Sequence, residues 1–287
     1  MNNISLIIPA KNEEKGLKKL LKDLTSAFSD IEIIVVNDGS TDTTEQVCIE
    51  NGVKVVNHPY SKGNGAAIKS GARAATGDVF IFMDADGQHR VEDVKMLLDE
   101  YQKGEFDMIV GARGHKSQAS LARLFGNGLY NQVATYMTGH KIKDLTSGLR
   151  IVDAKKFKQF LYLLPNGFSY PTTCTMAFFK AGYSVKYMTI FAPKRIGKSH
   201  LSILKDGGRF FLIIFKIGTL YSPLKLFFPA SLLFFILGTF YYVYTYVTDG
   251  RFTNMGMLLF TTSILIFLLG LISEQITSLM YRSDEND

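Results

Sequence analysis

Short apolar runs alternate with amphipathic runs along the first half of the chain. Five of the apolar runs have the length and nearly continuous apolar character of buried strands. They are residues 4–10, 31–38, 53–58, 78–84 and 107–113. Apolar residues recur at helical spacing between them, for example from residue 13 to residue 28. Strands in strict alternation with helices predict an α/β domain, with a Rossmann-like, mostly parallel sheet that carries helices on both faces.

The pattern changes in the last third of the chain. Residues 226–248 and 252–273 contain no charged residue over 23 and 22 positions, respectively. Each run exceeds the roughly 20 residues with which a helix crosses the apolar core of a bilayer. A pair of buried core helices is the alternative, but the lengths and the aromatic-rich ends favour two transmembrane helices, at 226–248 and 252–280. The sequence DGR at 249–251 then closes a tight hairpin.

A basic segment precedes the first apolar run. Residues 194–225 hold seven Lys or Arg and a single acid, Asp206, and their apolar residues recur at helical spacing. This pattern predicts amphipathic juxtamembrane helices, at 195–225, lying on an anionic membrane surface. The positive-inside rule places this segment and the α/β domain, residues 1–194, in the cytoplasm. With two spans in 226–281, both termini of this multi-pass cell-membrane protein are expected to be cytoplasmic.

The net charge, the cysteines and the histidines narrow the possible partners, compartment and metal sites. The net charge of +6 favours anionic partners, which we expect to be membrane lipid and phosphate-bearing ligands rather than nucleic acid. Cys48 and Cys174 show neither metal-ligand spacing nor a disulfide framework, which favours a reducing compartment. The chain opens directly on a strand, so no cleaved signal peptide is expected. The isolated histidines, such as His58, His115 and His140, indicate no zinc site and are expected at the surface or in turns.

Polar residues collect where the predicted strands end. Asn12 follows the first strand, Asp38 ends the second, Asp84 and Asp86 end the fourth, and Arg113 ends the fifth. In open α/β sheets the carboxyl ends of the strands border the ligand crevice. The sequence therefore predicts that these distant residues converge on one cleft.

The closely spaced carboxylates Asp84 and Asp86 are candidate metal ligands. If the backbone stayed extended, the two side chains would share a face, and a hard cation such as Mg²⁺ or Mn²⁺ would relieve their repulsion. Gln88 and His89 could add a ligand or support one. The alternative is a surface turn in which Asp and Gly serve turn chemistry.

No glycine-rich phosphate cradle is visible in the sequence. The first strand is not followed by GxGxxG, and GNGAAI at 63–68 follows the third strand and has Ile at the position of the third glycine. A Walker A sequence is also missing. We therefore expect phosphates to be held mainly by a metal ion and by side chains.

Five motifs in order carry a family resemblance. They are IIPAKNEE, VVNDGSTD, FMDADGQH, DLTSGLR at 144–150 and RIGKSH at 195–200. With them the chain resembles the family 2 glycosyltransferases of the GT-A fold, and among these the dolichyl- or polyprenyl-phosphate sugar synthases. The resemblance covers the α/β domain and, more loosely, the predicted hairpin.

The resemblance implies roles for individual residues in donor binding. Pro9, Lys11 and Glu13 would line the nucleoside pocket, and Asp38 would hold the base or the ribose. The acidic motif would hold the metal ion, Mg²⁺ or Mn²⁺, and the nucleotide diphosphate. Its members are Asp84, Ala85, Asp86 and Gln88, of which Asp84, Asp86 and Gln88 would be the metal ligands.

The resemblance also implies an acceptor side. Arg113, Arg123 and Asn127 would hold the acceptor phosphate, although Asn127 replaces an expected serine. In the basic loop, Arg195, Lys198 and His200 are the phosphate-binding candidates. Lys194 is an alternative to Arg195 in this role. Asp144 either orients the acceptor or caps the SGLR segment that follows it.

The implied activity is an inverting transfer of a sugar from a UDP- or GDP-sugar to polyprenyl phosphate, undecaprenyl or dolichyl, for glycan or cell-envelope assembly. A lipid phosphate needs no general base because it is already anionic, whereas cations must position it beside an anionic donor. The hairpin would keep the isoprenoid tail in the bilayer, and a homo-oligomer would enlarge this small lipid site.

Other functions fit parts of the pattern. A glycosyltransferase that extends a lipid-diphosphate-linked sugar would use the same motifs, and a glycosidase could use the paired aspartates without a metal. A non-catalytic membrane scaffold would keep the fold without turnover. A processive polysaccharide synthase fits poorly, because its Q-x-x-R-W motif requires a tryptophan and this chain has none.

Overall fold

A computed structural model describes residues 3–113, 121–167, 170–191, 215 and 218–282 of the chain. The chain divides into two compact units, Met1–Ser202 and Ile203–Asp287. Most of the predicted juxtamembrane segment, together with His115, lies outside the described residues.

The first unit contains seven strands and seven helices in its described part. The strands are β1 Ile4–Ala10, β2 Glu32–Asn37, β3 Lys54–Asn57, β4 Val79–Phe82, β5 Met108–Arg113, β6 Arg150–Asp153 and β7 Val185–Ile190. The helices are α1 Glu14–Ala27, α2 Thr44–Glu50, α3 Asn64–Ala74, α4 Val91–Tyr101, α5 Leu121–Thr138, α6 Ala154–Lys158 and α7 Tyr170–Lys180.

The strands form one mixed, mostly parallel sheet in the order β3-β2-β1-β4-β6-β5-β7. Strand β6 alone runs antiparallel, between β4 and β5. The five strands expected from the apolar runs are all present, and the mostly parallel α/β architecture is confirmed. The later strands β6 and β7 were not anticipated, since β6 has only four residues and begins with an arginine.

The core lies between the central strands and the helices that cover them. Leu6, Ile8 and Val35 are fully buried, and α1 buries Leu17 and Leu21 against the same face. Each such side chain contributes about 1.5–3 kcal/mol by leaving water. The helical spacing of the leucines in α1 is thus the pattern that a helix needs to cover a buried sheet.

The second unit contains a helical hairpin. Helix α8 spans Pro223–Asp249 and helix α9 spans Asn254–Arg282. Gly250 takes the left-handed conformation (φ 64°) that ends α8, and its N–H bonds to the carbonyl of Tyr246. Only 11 % and 17 % of the most apolar windows of the two helices are buried within the described part of the chain, unlike the core helix of a soluble protein, which is mostly buried. Both are long and apolar enough to cross a membrane.

Candidate active site

The turns after β1 and β2 are fastened to each other at the carboxyl edge of the sheet. Asn12 adopts a left-handed conformation with φ 55°, which is uncommon for a residue other than glycine. Its side-chain oxygen accepts a hydrogen bond from the N–H of Thr41 at 2.8 Å, and its own N–H donates to the Ser40 hydroxyl at 3.0 Å. The KNEE and GSTD sequences therefore form one wall of the crevice.

Helices α1 and α2 cap each other at this edge. The Glu14 carboxylate accepts from the N–H and the hydroxyl of Thr43, at 3.3 and 2.6 Å. In return, Asp42 accepts from the N–H of Glu14 at 3.3 Å and from Thr44 at 2.5 and 3.0 Å. These carboxylates occupy the positive ends of two helices, which would otherwise attract anions.

Helix α3 is capped by backbone rather than by a ligand. The N–H groups of Gly65 and Ala66 donate to the carbonyls of Gly167 and Asn166 at 3.1 and 3.0 Å. A Cβ atom on Gly65 would lie 1.9 Å from the Pro165 carbonyl oxygen, so only glycine allows this approach. Gly63 and Gly65 of the GNGAAI sequence thus serve the close packing of this loop.

Asp38, at the end of β2, organises the loop that follows β3. Its Oδ1 accepts from the N–H of Lys62 and contacts His58 Nδ1, both at 2.7 Å. Its Oδ2 accepts from the Ser61 hydroxyl at 2.7 Å and from the N–H of Gly63 at 2.9 Å. Burial opposes ionisation of Asp38, but these hydrogen bonds hold its pKa below the usual value.

The expectation for His58 was wrong. It is 7 % exposed rather than a surface or turn residue, and its Nε2 lies 2.9 Å from the Ser70 hydroxyl. It is buried because it bridges Asp38 and helix α3, and both ring nitrogens have partners. A lone histidine in a sequence carries no sign of such partners. His140, in contrast, is exposed and stacks on Phe179.

The acidic motif begins where β4 ends. The strand stops at Phe82, the chain bends at residues 85–87, and Gly87 adopts φ 74°. Because the bend includes Ala85, the extended geometry considered for Asp84 and Asp86 does not hold. Asp86 is 9 % exposed, and its side chain accepts a hydrogen bond from the N–H of Gln88 at 3.1 Å. Asp86 therefore also stabilises the turn, as the alternative interpretation of this motif expected. Two carboxylates are nevertheless held at the edge where the crevice was predicted.

Asp84 lies against backbone and among positive charges. A Cβ on Gly148 would come within 2.1 Å of Asp84 Oδ2, so the carboxylate rests directly on this glycine. Its side chain is 36 % exposed, and His89 Nε2 lies 3.6 Å away. Burial among protein atoms disfavours the charge, yet His89, Arg113 and Arg150 together hold the pKa of Asp84 below its usual value.

Arg113 and Asp144 form a bidentate ion pair at the end of β5. Arg113 Nε and Nη2 donate to the two carboxylate oxygens at 2.8 and 3.1 Å, and Nη2 also donates to the Thr146 hydroxyl at 2.6 Å. Burial disfavours both charges, but the pairing raises the pKa of Arg113 and lowers that of Asp144. Asp144 also accepts the N–H of Thr146 at 3.1 Å, so it caps the following turn while it holds Arg113.

The donor chemistry of the acidic motif suits a hard divalent cation. Within the described ranges, no three His, Cys, Asp or Glu side chains converge as a metal site. Asp84 and Asp86 supply two carboxylates, and Mg²⁺ characteristically takes one or two carboxylates and completes its coordination with water and substrate phosphates. The residues fit a cation of that kind rather than a metal held in a protein cage.

The structure brings together only part of the predicted site. Pro9 lies in β1, Lys11 and Glu13 lie in the following turn, and the Ala85 carbonyl packs against Gly16 of α1. Arg123 and Asn127 fall in α5, but their side chains are outside the described part. The basic loop is outside it as well, namely Lys194, Arg195, Lys198 and His200.

Sequence reasoning missed two groups at this edge. Arg150 was included in the DLTSGLR motif but was not singled out, although it is fully buried next to the acidic motif. Thr146 was likewise not expected to hold Arg113. The only available signal was an arginine at the start of an otherwise apolar strand, RIVD.

Residues 5–161, more than half of the chain, match the family described as "Glycosyl transferase family 2". Residues 222–279 match a second family, described as "GtrB C-terminal hairpin". The chain therefore belongs to glycosyltransferase family 2 and carries a hairpin of the GtrB type, as the motif resemblance indicated.

Two curated relatives are sugar transferases. The undecaprenyl-phosphate 4-deoxy-4-formamido-L-arabinose transferase of Pseudomonas fluorescens (strain Pf0-1) is 33 % identical over 190 residues, covering 59 % of this chain and 55 % of that protein. The dolichyl-phosphate beta-glucosyltransferase ALG5D of Trichomonas vaginalis is 31 % identical over 173 residues, 52 % of each chain. The chain thus spans about half the length of these relatives.

The fold also matches solved structures. Glucosyl-3-phosphoglycerate synthase of Mycobacterium tuberculosis, crystallised with Mn²⁺ and UDP-glucose, superposes with a TM-score of 0.60. The match covers 76 % of this chain and 78 % of that one at 19 % identity. At this identity the likeness establishes the GT-A-like fold alone.

Proposed function

We propose that this protein transfers a sugar from a UDP- or GDP-sugar to polyprenyl phosphate at the cytoplasmic face of a membrane. The observation that carries the proposal is the pair Asp84 and Asp86 near the partly buried Arg113–Asp144 ion pair, at the strand ends of a family 2 chain with a GtrB-type hairpin. Relatives named for undecaprenyl phosphate and dolichyl phosphate support a lipid phosphate as the acceptor.

The donor would bind along the interlocked turns. Pro9, Lys11 and Glu13 would line the nucleoside pocket, and Asp38 would contribute to it with the loop that it organises. Three helix N-termini at this edge are already capped by protein groups. The diphosphate therefore depends on other positive groups, which Arg113 supplies in part.

Asp84 and Asp86, with Gln88, would hold Mg²⁺ or Mn²⁺ against the donor diphosphate. When bound, the cation would neutralise the negative charge that builds up on the diphosphate as it leaves. Asp84 suits this task because its pKa lies below the usual value, so it is ionised at neutral pH. Solved relatives in fold were crystallised with Mn²⁺ and UDP, which supports the same type of donor complex.

The acceptor phosphate would be positioned by cations rather than activated by a base. Arg113 would face it with a guanidinium that Asp144 and Thr146 hold in one orientation. Asp144 is then a positioning residue, because both its oxygens are engaged by Arg113. Arg123 and Asn127, and the basic loop with Arg195, Lys198 and His200, would complete the acceptor site.

A transfer assay tests this function. Membranes containing the protein would receive polyprenyl phosphate, Mg²⁺ or Mn²⁺ and a panel of labelled UDP- and GDP-sugars. We expect label from one donor to enter the lipid phase, and we expect Asp86→Ala or a chelator to reduce this on the order of 100-fold or more. Asp99→Ala, an exposed carboxylate on α4, is the matched control and should transfer normally.

Two outcomes would contradict the proposal. If the donor binds but no label reaches polyprenyl phosphate, and label instead extends a lipid-diphosphate-linked sugar, the acceptor is wrong. If nucleotide or lipid binds without turnover on any acceptor, the protein is a non-catalytic member of the fold.

The orientation can be tested separately. Both native cysteines are buried, so they should react slowly with a membrane-impermeant maleimide. Arg251→Cys, in the exposed connection between α8 and α9, should label from outside intact cells. Asp99→Cys should label only after lysis, and the reverse pattern would overturn a cytoplasmic catalytic unit.

A further inference from the structure

Side chains with unpartnered nitrogen atoms flank the acidic motif. Three buried side-chain polar atoms in the described part have no hydrogen-bond partner, namely His89 Nδ1, Arg150 Nε and Tyr187 Oη. His89 lies 3.6 Å from Asp84, and the charge of Arg150 acts on Asp84 as well. Unsatisfied buried groups are rare in folded proteins and call for an explanation.

Arg150 is the more unusual of the two. It is fully buried at the start of β6, where it is paired with Phe82 of β4 and Val110 of β5. No ion pair in the described part of the chain includes it. Its guanidinium donates instead to neutral oxygens, those of Pro171 at 2.9 Å and Ser147 at 2.6 Å among them.

A buried guanidinium without a carboxylate partner is costly, since it has lost water and gained only neutral acceptors and the face of the Tyr170 ring, whose centroid lies 5.7 Å from Arg150 Cζ. Packing alone would be served as well by an apolar side chain of similar volume. The charge of Arg150 is therefore best explained by an anion that it stabilises, and Asp84 is the anionic side chain on which it acts.

Arg150 is also linked to Asp84 through the backbone. Its Nη2 closes the turn that begins at the Ser147 carbonyl, while the Ser147 hydroxyl donates to the Gly111 carbonyl at 2.5 Å. Gly148, the next residue, is the surface on which the Asp84 carboxylate rests. Any loosening of Arg150 should therefore move the support beneath Asp84.

We propose that Arg150 is a positioning residue of the donor site, which fixes Asp84 as a metal ligand through the Ser147–Gly148 turn. This inference rests on the proposed function. On the other side, Arg150 Nη1 donates to Pro171 and Thr175 in the first turns of α7, so it also joins that helix to the acidic motif.

Binding measurements on the full-length protein in detergent test the inference. Mn²⁺ would be titrated by electron paramagnetic resonance in the presence of UDP or GDP, whichever the wild type binds. Nucleotide affinity would be measured by calorimetry with and without Mn²⁺. For Arg150→Lys and Arg150→Met we expect Mn²⁺ affinity to fall by about 10- to 100-fold, as for other supports of metal ligands.

The lysine variant is expected to fail because one ammonium cannot reproduce the planar donor set of a guanidinium. Metal-free nucleotide binding should be much less affected than binding with Mn²⁺. Arg73→Met, an exposed arginine on α3, is the control for loss of a positive charge elsewhere and should bind as the wild type does.

Two further variants keep the test decisive if Arg150 variants do not fold. Thr175→Val removes one acceptor of the guanidinium and retains the charge, so we expect a smaller loss of Mn²⁺ affinity in the same direction. Gly148→Ala disturbs the support from the other side and should weaken Mn²⁺ with little change in the thermal unfolding midpoint.

Mn²⁺ binding at wild-type strength in the folded variants would overturn the inference. Equal losses of nucleotide binding with and without Mn²⁺ would also overturn it, because they would indicate general damage to the fold. If the wild type itself binds neither nucleotide nor Mn²⁺, the proposed function fails, and that result is distinct from a failure of the variants.

Discussion

The two units of this protein bury opposite kinds of residue. In the sheet unit, large apolar side chains such as Ile8 and Phe82 are inside, fully shielded from solvent. In the hairpin, large apolar residues face outwards, with Phe240 72 % and Val247 78 % exposed, while Ser231 and its neighbours at the contact are buried. This inversion is expected of helices surrounded by lipid, where apolar surface gains nothing by meeting other apolar surface.

The spacing of the buried hairpin residues shows how the helices meet. Small residues recur every seven positions along both helices at the contact. They are Ser231, Gly238 and Thr245 on α8 and Gly256, Ser263, Gly270 and Thr277 on α9. A repeat of seven keeps one seam facing the partner helix, and small side chains let the backbones approach.

Polar groups also have different roles in the two units. The sheet unit concentrates charged residues at the strand ends, as in the Arg113–Asp144 pair. In the hairpin, Glu274 accepts the backbone N–H of Leu224 at 3.2 Å and so satisfies the first turn of α8. One unit uses charge to build a site, whereas the other uses polar groups to complete its backbone.

The largest effect is expected when a charge of the sheet unit loses its partner. Asp144→Asn removes the carboxylate that pairs with Arg113, although Asp84 and Asp86 still act on that guanidinium. The Arg113 side chain is 25 % exposed, so we expect a cost of about 3 kcal/mol, at the lower end of the range for breaking buried pairs. Hydrogen–deuterium exchange of the full-length protein should rise in β5 and β6 and stay unchanged in α8 and α9. Transfer activity should fall with it.

Asp153→Asn is a matched control, since Asp153 forms no described ion pair and Asn can still cap α6 through its side-chain oxygen. Its exchange should stay near that of the wild type. If Asp144→Asn has no more effect than this control, the Arg113–Asp144 pair carries no stability.

The contrast between the units was largely legible in the sequence. Apolar runs of strand length predicted β1 to β5, and the two charge-free runs predicted the hairpin. The short strand β6 was not predictable, because four residues headed by arginine resemble neither a buried strand nor an amphipathic helix. Its position depends on pairing with β4 and β5, which are distant in sequence.

The site was predictable as a location but not as a set of contacts. Residues at strand ends converge because of the parallel sheet, and the motifs identified Asp84 and Asp86. The partners of Asp38 were not legible, since His58 and Ser61 reach it from another loop. The burial of Arg150 could not be predicted, because it depends on the pairing of β6 with β4 and β5, which are distant in sequence.

The next effect concerns the close approach of the hairpin helices. A Cβ on Gly270 would lie 2.7 Å from Phe227 Cβ, so Gly270→Leu should push the helices apart at a cost of about 1–3 kcal/mol. A disulfide between Ser231→Cys and Ser263→Cys, whose hydroxyl oxygens lie 3.2 Å apart, reports the contact in membranes. Its yield should fall sharply in the leucine variant.

Leu269→Phe adds bulk one position away, at a residue that is 57 % exposed, and should leave the disulfide yield unchanged. Equal losses in the two variants would mean that this seam is not where the helices meet.

A smaller expected effect is a pH-dependent stability of the sheet unit, to which Glu32 contributes. Burial opposes the charge of Glu32, but hydrogen bonds from Ser5, Thr76 and Lys54 lower its pKa to about 2. A lowered pKa stabilises the fold above the unfolded value of 4.5, and this contribution disappears as the pH falls towards 2. Glu32→Gln should therefore destabilise the sheet unit by about 1 kcal/mol at pH 7 and by progressively less below pH 4.5.

Thermal unfolding followed by circular dichroism across this pH range measures the difference. Glu50→Gln, at an exposed position of α2, is the control for replacing a glutamate elsewhere in the same unit. A deficit of Glu32→Gln that stays constant down to pH 2 would mean that the Glu32 charge does not contribute.

The smallest effect is expected where the hairpin uses hydrogen bonds. Ser231 and Ser263 donate to each other's backbone carbonyls at 2.9 and 2.8 Å. Such bonds are worth only about 0.6 kcal/mol on average in membranes, because the separated helices also find partners for these hydroxyls. Ser→Ala at either site, and at both in a double-mutant cycle, should shift unfolding by SDS only slightly, since alanine keeps the small volume.

Thr239→Ala, which removes an exposed hydroxyl bonded to its own helix, sets the background of this measurement. A coupling well above 1 kcal/mol between Ser231 and Ser263 would make hydrogen bonding, rather than small size, the feature that joins the helices. In that case the hairpin would resemble the sheet unit after all, with a specific polar contact holding it in register. A small coupling together with the large loss in Gly270→Leu would assign the contact to close packing, which is the means of association left to helices that gain nothing from burying apolar surface in lipid.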